Sequence, residues 1–140
     1  MSKLDLQIEN NFAAIAPASE RMRAHLESLG APAAAVFLAD LVIEELVTNT
    51  IKYGYDDTNA HCVHVSVDFS DGTLTVEVRD DGHEFNPLSR ESPDVTLPAE
   101  QRDIGGLGIH LVCQMSDDVR YERRDGWNVV IATKRFPEDQ

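Results

Sequence analysis

The chain has 140 residues, 42% of them hydrophobic, which is enough for one ordinary domain with its own core. Asp and Glu number 25 against 12 Lys and Arg, so the formal net charge is -13 at pH 7. Such an excess repels phosphodiester backbones and anionic lipid, and we therefore expect neither nucleic acid nor a membrane as partner. A nucleotide is not excluded, because backbone N–H groups and a metal ion can make a single site electropositive.

The two cysteines, Cys62 and Cys113, match neither a disulfide framework nor a paired metal-binding motif, and they indicate a reducing compartment. The first twenty residues hold no apolar run long enough for a signal peptide, and no stretch approaches the ~20 apolar residues of a membrane helix. We therefore expect a soluble cytoplasmic protein.

The predicted elements begin with a strand, because apolar residues occupy every second position over 4–8. A helix is predicted over 19–29, with Gly30 as its stop signal. Pro32 then suits the first turn of a second helix, which is predicted to run over 33–53.

Two hairpins are predicted further along the chain, because alternating apolar segments flank an Asp-Gly pair in each. The first hairpin joins 63–69 to 74–78, and the second joins 119–121 to 129–133. Their turns are Asp71-Gly72 and Asp125-Gly126.

Between the hairpins, residues of about 87–104 contain three prolines and no sustained period, which predicts a long mobile loop of a kind that is usually functional. A short helix follows over 107–115. This order lacks regular alternation of strands and helices, so it favours an α+β fold, a two-layer sandwich with helices on one face of a mostly antiparallel sheet. We expect residues 1–140 to form a single domain.

Polar residues extend the apolar stripe of the second helix. Residues 38, 41 and 42 set the inward face, and steps of three and four residues continue that face into Glu45 and Asn49. Glu44 lies about 100° around the helix and should face solvent. A ligand cleft would explain the two buried polar groups, although an isolated pair of this kind is more often satisfied by hydrogen bonds within a core.

Asp80 continues the inward phase of its strand after Leu74, Val76 and Val78. A carboxylate there can accept a hydrogen bond from the exocyclic amine of a purine. The following Asp81-Gly82 permits a sharp turn and a close backbone approach, but the same residues also form ordinary turns.

Three glycines, Gly105, Gly106 and Gly108, directly precede the predicted helix over 107–115. Small residues at that position let main-chain N–H groups meet phosphate oxygens. The pattern is neither a dinucleotide fingerprint nor a Walker loop.

Together, the segments 44–49, 80–82 and 105–109 resemble the N, G1 and G2 boxes of the GHKL ATPase fold. The resemblance extends from the first strand to Lys134 and is strongest to the single-domain anti-sigma factor serine kinases of bacterial partner switching. It implies a two-layer sandwich that holds ATP and Mg²⁺ between the helices and a lid formed by the loop over about 87–104.

By the same resemblance, Glu45 is expected to be the general base and Asn49 the Mg²⁺ ligand. Asp80 is expected to recognise adenine, with Asn128 approaching the base from the last hairpin. The implied ATP-binding set is Asn49, Asp80, Gly82, Gly105, Gly106, Leu107, Gly108 and Asn128.

One departure from the family pattern is Glu84, which stands where the G1 box usually has a second glycine. Arg90 and Arg102 offer phosphate partners in the lid, though surface charge explains them equally. His61 and His64 fall on opposite faces of a strand, which disfavours shared metal ligation.

The resemblance implies a Ser/Thr protein kinase that sequesters a sigma factor or another regulator and phosphorylates a STAS-domain anti-anti-sigma protein, and it suggests a homodimer. One alternative is an ATP-binding module that only sequesters its partner. Another is a histidine kinase fragment or stand-alone ATPase, which is disfavoured because only about one helix precedes the N box and no phosphoacceptor hairpin is evident.

Overall fold

The computed structural model describes residues 2–55, 60–89 and 104–137. Two short 3₁₀ turns, Phe12–Ala14 and Pro87–Ser89, accompany five strands and three helices in this part of the chain. The elements in order are β1 (Lys3–Glu9), α1 (Ile15–Ser28), α2 (Ala33–Tyr53), β2 (Cys62–Ser70), β3 (Thr73–Asp80), α3 (Ile104–Met115), β4 (Asp118–Arg124) and β5 (Trp127–Arg135).

The strands form one sheet in the order β1-β2-β3-β5-β4, and every neighbouring pair is antiparallel. Both predicted hairpins are confirmed. Their Asp-Gly turns have positive φ at both central residues, 52° and 76° at Asp71-Gly72 and 51° and 84° at Asp125-Gly126. This is the geometry of the tight turns whose twist matches that of the flanking strands.

The core lies between one face of the sheet and the helices. Alternate residues of β2 and β3 are buried, and α1 and α2 contribute the opposing apolar side chains, with Met22, Leu26, Val42 and Ile43 inaccessible to solvent. The predicted α+β architecture, with helices on one face of an antiparallel sheet, is therefore confirmed. None of the described helices has the length and apolar character needed to cross a membrane.

The bounds of α2 agree with the sequence prediction, but α1 begins at Ile15 instead of Ser19. Pro17 falls in the first turn of α1, where a missing N–H costs no helical hydrogen bond. Ser19, the predicted first residue of this helix, is instead a buried residue in its interior.

The other correction concerns α3, which begins at Ile104 and not at residue 107. Gly105, Gly106 and Gly108 therefore lie within the first turns of the helix instead of in a loop before it. Glycine lowers helix propensity by about 1 kcal/mol but does not forbid the conformation, so packing against α2 can override it. Of the predicted lid, residues 87–89 form the second 3₁₀ turn, and 90–103 lie outside the described residues.

Candidate nucleotide site

The polar end of α2 supplies the first two candidate residues. Asn49 is only 3% exposed and Glu45 is half-buried, whereas Glu44 is exposed, in agreement with the predicted helix phase. Thr50, the residue after Asn49, is also buried. Three polar side chains thus enter the space between helices and sheet at one end of the core.

Glu45 lies directly against the main chain of α3. A Cβ atom built on Gly108 would coincide with the Glu45 carboxylate, so a glycine at that position leaves the room the carboxylate occupies. Burial raises the pKa of Glu45, the neighbouring charge of Glu44 raises it further, and Lys52 lowers it. The result is a carboxylate that holds its proton more strongly than usual.

Asn49 presents a buried amide whose Nδ2 has no hydrogen-bond partner among the described residues. Buried polar groups are seldom left unpaired, and an unpaired one commonly marks a site for a ligand or ion. The unpaired nitrogen needs an acceptor, and the amide oxygen is a hard ligand atom of the kind that Mg²⁺ accepts, so the side chain fits the ligand role that the family resemblance implies.

Asp80 ends β3 and is 7% exposed, pointing inward as its strand phase predicts. Its Oδ1 accepts hydrogen bonds from the Gly82 N–H at 2.9 Å and from Asn128 Nδ2 at 3.0 Å. Its Oδ2 lies 3.3 Å from the Thr50 hydroxyl, which is also 3.1 Å from the Leu46 carbonyl oxygen. The Thr50 hydroxyl has a single proton, which the Leu46 carbonyl oxygen and Asp80 Oδ2 share. Asp80 Oδ2 can therefore accept a further hydrogen bond.

The turn after β3 is held close to the end of α2. The His83 N–H donates to the Gly54 carbonyl oxygen at 3.1 Å, and a Cβ on Gly82 would collide with that same oxygen. Arg123 donates from β4 to the Gly82 carbonyl oxygen at 2.8 Å. Gly82 is thus required by a close approach of two backbones.

Asn128 lies opposite Asp80 in the pairing of β3 with β5 and is 4% exposed. Its amide makes four hydrogen bonds, and its Oδ1 accepts from Tyr121 at 2.6 Å. Thr50 and Tyr121 were not predicted as site residues. A tyrosine in the inward phase of β4 is the one signal available, since a buried hydroxyl needs a partner.

A cavity of about 20 Å³ lies at the centre of these residues. It is lined by Leu46, Asn49, Thr50, Val78, Asp80, Phe85, Pro87, Asn128 and Val130. Apolar walls with a few convergent polar groups are typical of ligand sites. Space of this size admits a water molecule, and a purine ring would need the residues that line the cavity to move apart.

The structure brings Asn49, Asp80 and Asn128 to one cavity, and it brings Glu45 and Gly108 into contact one helical turn from Asn49. Gly105, Gly106 and Leu107 lie in the first turn of α3. Arg90 and Arg102 lie outside the described residues.

Neither His61, which directly precedes β2, nor His64, within β2, lines this cavity. His61 stacks on Tyr55, and His64 contacts the edge of Trp127. In the described part of the chain, no group of three or more His, Cys, Asp and Glu side chains is arranged to hold a metal ion.

Comparison with known proteins shows a family match over almost the whole chain. Residues 8–134 match the model of the histidine kinase-like ATPase domain. The match includes every residue of the site described above.

Several curated proteins are similar to the chain. The serine-protein kinase RsbW of Listeria monocytogenes is 31% identical over 104 residues, which cover 71% of this chain and 66% of the kinase. The serine/threonine-protein kinase BtrW of Bordetella bronchiseptica is 23% identical over 97 residues, 69% of this chain and 68% of that protein. The anti-sigma F factor of Heyndrickxia coagulans is 30% identical over 97 residues, covering 67% and 65%. The chain thus spans about two thirds of the length of these relatives.

Among solved structures, the RsbU and RsbW domains of a Mycobacterium tuberculosis protein match with a TM-score of 0.68 and 18% identity. The match covers 96% of this chain and 32% of that one. At this identity the likeness shows the shared fold.

Proposed function

We propose that this chain, which belongs to the histidine kinase-like ATPase domain family, is an ATP-dependent serine/threonine kinase of the anti-sigma factor type. The observation that carries the proposal is the pairing of a half-buried Glu45 carboxylate, packed against Gly108, with the buried amide of Asn49 one turn away. A site that only stored nucleotide would not need a carboxylate beside the position of the phosphates.

In this mechanism Asp80 Oδ2 accepts a hydrogen bond from the exocyclic amine of adenine. The apolar side chains of Leu46, Val78 and Val130 contact the adenine ring. The N-terminal turns of α3, rich in glycine, offer main-chain N–H groups to the phosphates. Asn49 would hold Mg²⁺, which neutralises charge on the phosphates when bound.

Glu45 is the proposed general base. It would take the proton of the substrate serine hydroxyl as the oxygen bonds to the γ-phosphorus and the bond to ADP breaks. The raised pKa of Glu45 suits this role, because a base whose pKa lies nearer the working pH drives proton transfer better.

The proposed partners follow from the relatives named serine-protein kinase and anti-sigma factor. We propose that the chain sequesters a sigma factor or similar regulator, that its substrate is a serine on a STAS-domain anti-anti-sigma protein, and that it works as a cytoplasmic homodimer.

Phosphoryl transfer tests the proposal directly. The wild-type chain is incubated with labelled ATP, Mg²⁺ and a candidate STAS-domain protein. Label should reach a serine of that protein, and Glu45→Gln should lower the rate by about 10²–10⁴-fold while ATP still binds. Glu44→Gln, on the exposed side of the same helix, is the matched control and should remain active.

Two results would contradict parts of the proposal. Transfer by Glu45→Gln at the wild-type rate would remove Glu45 from the role of base. ATP binding by the wild type without transfer to any STAS protein would instead identify a sequestering module that has kept only the nucleotide pocket.

Nucleotide binding is tested separately by calorimetry on Asp80→Asn. The amide would present N–H donors where the adenine amine needs an acceptor, so ATP should bind at least about tenfold more weakly. Unchanged affinity would remove Asp80 from the pocket.

A further inference from the structure

We propose that Asn128 is a positioning residue, which holds the Asp80 carboxylate and the turn over 82–85 in place and makes no hydrogen bond of its own to the purine. The inference rests on the proposed nucleotide site and gives Asn128 a different role from the direct approach to adenine that sequence resemblance implies.

The first argument is that the Asn128 amide has no capacity left for a ligand. Nδ2 donates to Asp80 Oδ1 at 3.0 Å and to the His83 carbonyl oxygen at 2.8 Å. Oδ1 accepts from the Phe85 N–H at 3.2 Å and from the Tyr121 hydroxyl at 2.6 Å. A primary amide has two N–H donors and two lone pairs, so these four bonds use all of them.

The second argument concerns what the four bonds connect. They join β5 to the end of β3, to two backbone groups of the turn, and to β4. We call this set, formed by Asp80, His83, Phe85, Tyr121 and Asn128, the Asn128 network. Its two turn residues, His83 and Phe85, flank Glu84, the exposed residue that stands where the family pattern has a glycine. Side-chain hydrogen bonds thus fix the turn on both sides of that position.

The third argument is the effect on Asp80. Because Gly82 and Asn128 both donate to Oδ1, the carboxylate is fixed in rotation and Oδ2 is the oxygen with capacity to spare. Because Oδ2 can only accept, it takes a hydrogen bond from the exocyclic amine of adenine. It repels the carbonyl oxygen that guanine carries at the same position. Asn128 thereby contributes to base selectivity through Asp80.

Tyr121 provides an independent variant. Its hydroxyl donates to the oxygen of Asn128, and the residue does not line the cavity. A positioning role predicts that loss of this bond lowers both the affinity for ATP and the preference for ATP over GTP, because the Asn128 amide then holds Asp80 less firmly. Tyr55→Phe is the matched control, since that hydroxyl donates to the exposed neighbour Asp81 at 2.9 Å.

The experiment measures ATP and GTP affinity by calorimetry and the hydrogen exchange of the Phe85 amide in nucleotide-free protein. Asn128→Ala should bind ATP about tenfold more weakly, lose part of the preference for ATP over GTP, and exchange the Phe85 amide faster. Tyr121→Phe should change the affinity and the preference in the same direction by a smaller factor, and Tyr55→Phe should match the wild type.

The inference is overturned if Asn128→Ala weakens ATP binding with the ATP-to-GTP ratio and Phe85 exchange unchanged, or if Tyr121→Phe behaves like Tyr55→Phe. A wild-type chain that binds no nucleotide would overturn the proposed function and this role with it. Normal wild-type binding with unaffected variants would overturn only the role of Asn128.

Discussion

The carboxylate of Glu45 occupies the space that a Cβ atom would need at Gly108, so Glu45 can hold this position only because residue 108 is a glycine. The contact joins the proposed base to the helix whose N-terminal turns are proposed to face the phosphates. The position of the base therefore depends on a residue that carries no functional group.

Gly108→Ala should impair transfer without unfolding the protein. The new methyl group would displace the end of a flexible side chain, and alanine is a better helix former by up to about 1 kcal/mol, so the melting temperature should change little. Displacing Glu45 should lower the phosphoryl-transfer rate by at least about tenfold. Gln114→Ala, at an exposed position on the same helix, is the control. Full activity of Gly108→Ala would show that transfer does not need this placement of Glu45.

The pH dependence of transfer should reflect the environment of Glu45. Burial first and Glu44 second raise its pKa, so the acid limb of kcat/KM should lie above the ~4.3 of an ordinary glutamate. Removing the Glu44 charge by Glu44→Gln lowers the pKa of Glu45, and the acid limb should move to lower pH. Lys52→Gln removes a charge that favours the ionised form, and it should move the limb the opposite way. If the acid limb lies at the same pH in the wild type and in both variants, the limb reports the ionisation of a group other than Glu45.

Asn49→Ala should separate stability from binding. The substitution removes a buried N–H donor that has no partner among the described residues, which costs the folded state roughly 1–3 kcal/mol. Alanine also has a higher helix propensity than asparagine, by up to about 0.7 kcal/mol. These gains offset the small cavity created, so unfolding in urea should show equal or greater stability. Mg²⁺-dependent ATP affinity should fall sharply. Thr48→Ala, half-buried on the same helix, should leave that affinity intact. A destabilisation of Asn49→Ala beyond about 2 kcal/mol would mean that the amide serves the fold.

Much of this site could be predicted from periodicity. Helix phase distinguishes Glu45 from Glu44 and strand phase distinguishes Asp80 from Asp81, because the side that faces the core is a local property of the element. The two Asp-Gly turns were equally predictable, because positive φ at two central residues leaves few alternatives.

Contacts between elements distant in sequence could not be predicted in this way. The start of α3 at Ile104 depends on packing that overrides the low helix propensity of glycine. The contact between Glu45 and Gly108, and the four bonds of Asn128, depend on how separate elements approach one another. Apart from the tyrosine in the inward phase of β4, residue type and spacing carry no signal for these contacts.

Gly82→Ala should destabilise the protein and weaken nucleotide binding together. Its Cβ would meet the carbonyl oxygen of Gly54, a backbone atom that cannot rotate aside, so the end of α2 or the turn after β3 must move. We expect a loss of about 1–3 kcal/mol in the free energy of unfolding, measured in urea. ATP affinity should fall as well, because the Gly82 N–H orients Asp80. Glu84→Ala, exposed in the same turn, should keep wild-type stability. Wild-type stability in Gly82→Ala would mean that the turn relaxes freely, and that the backbone approach to Gly54 is not what fixes Asp80.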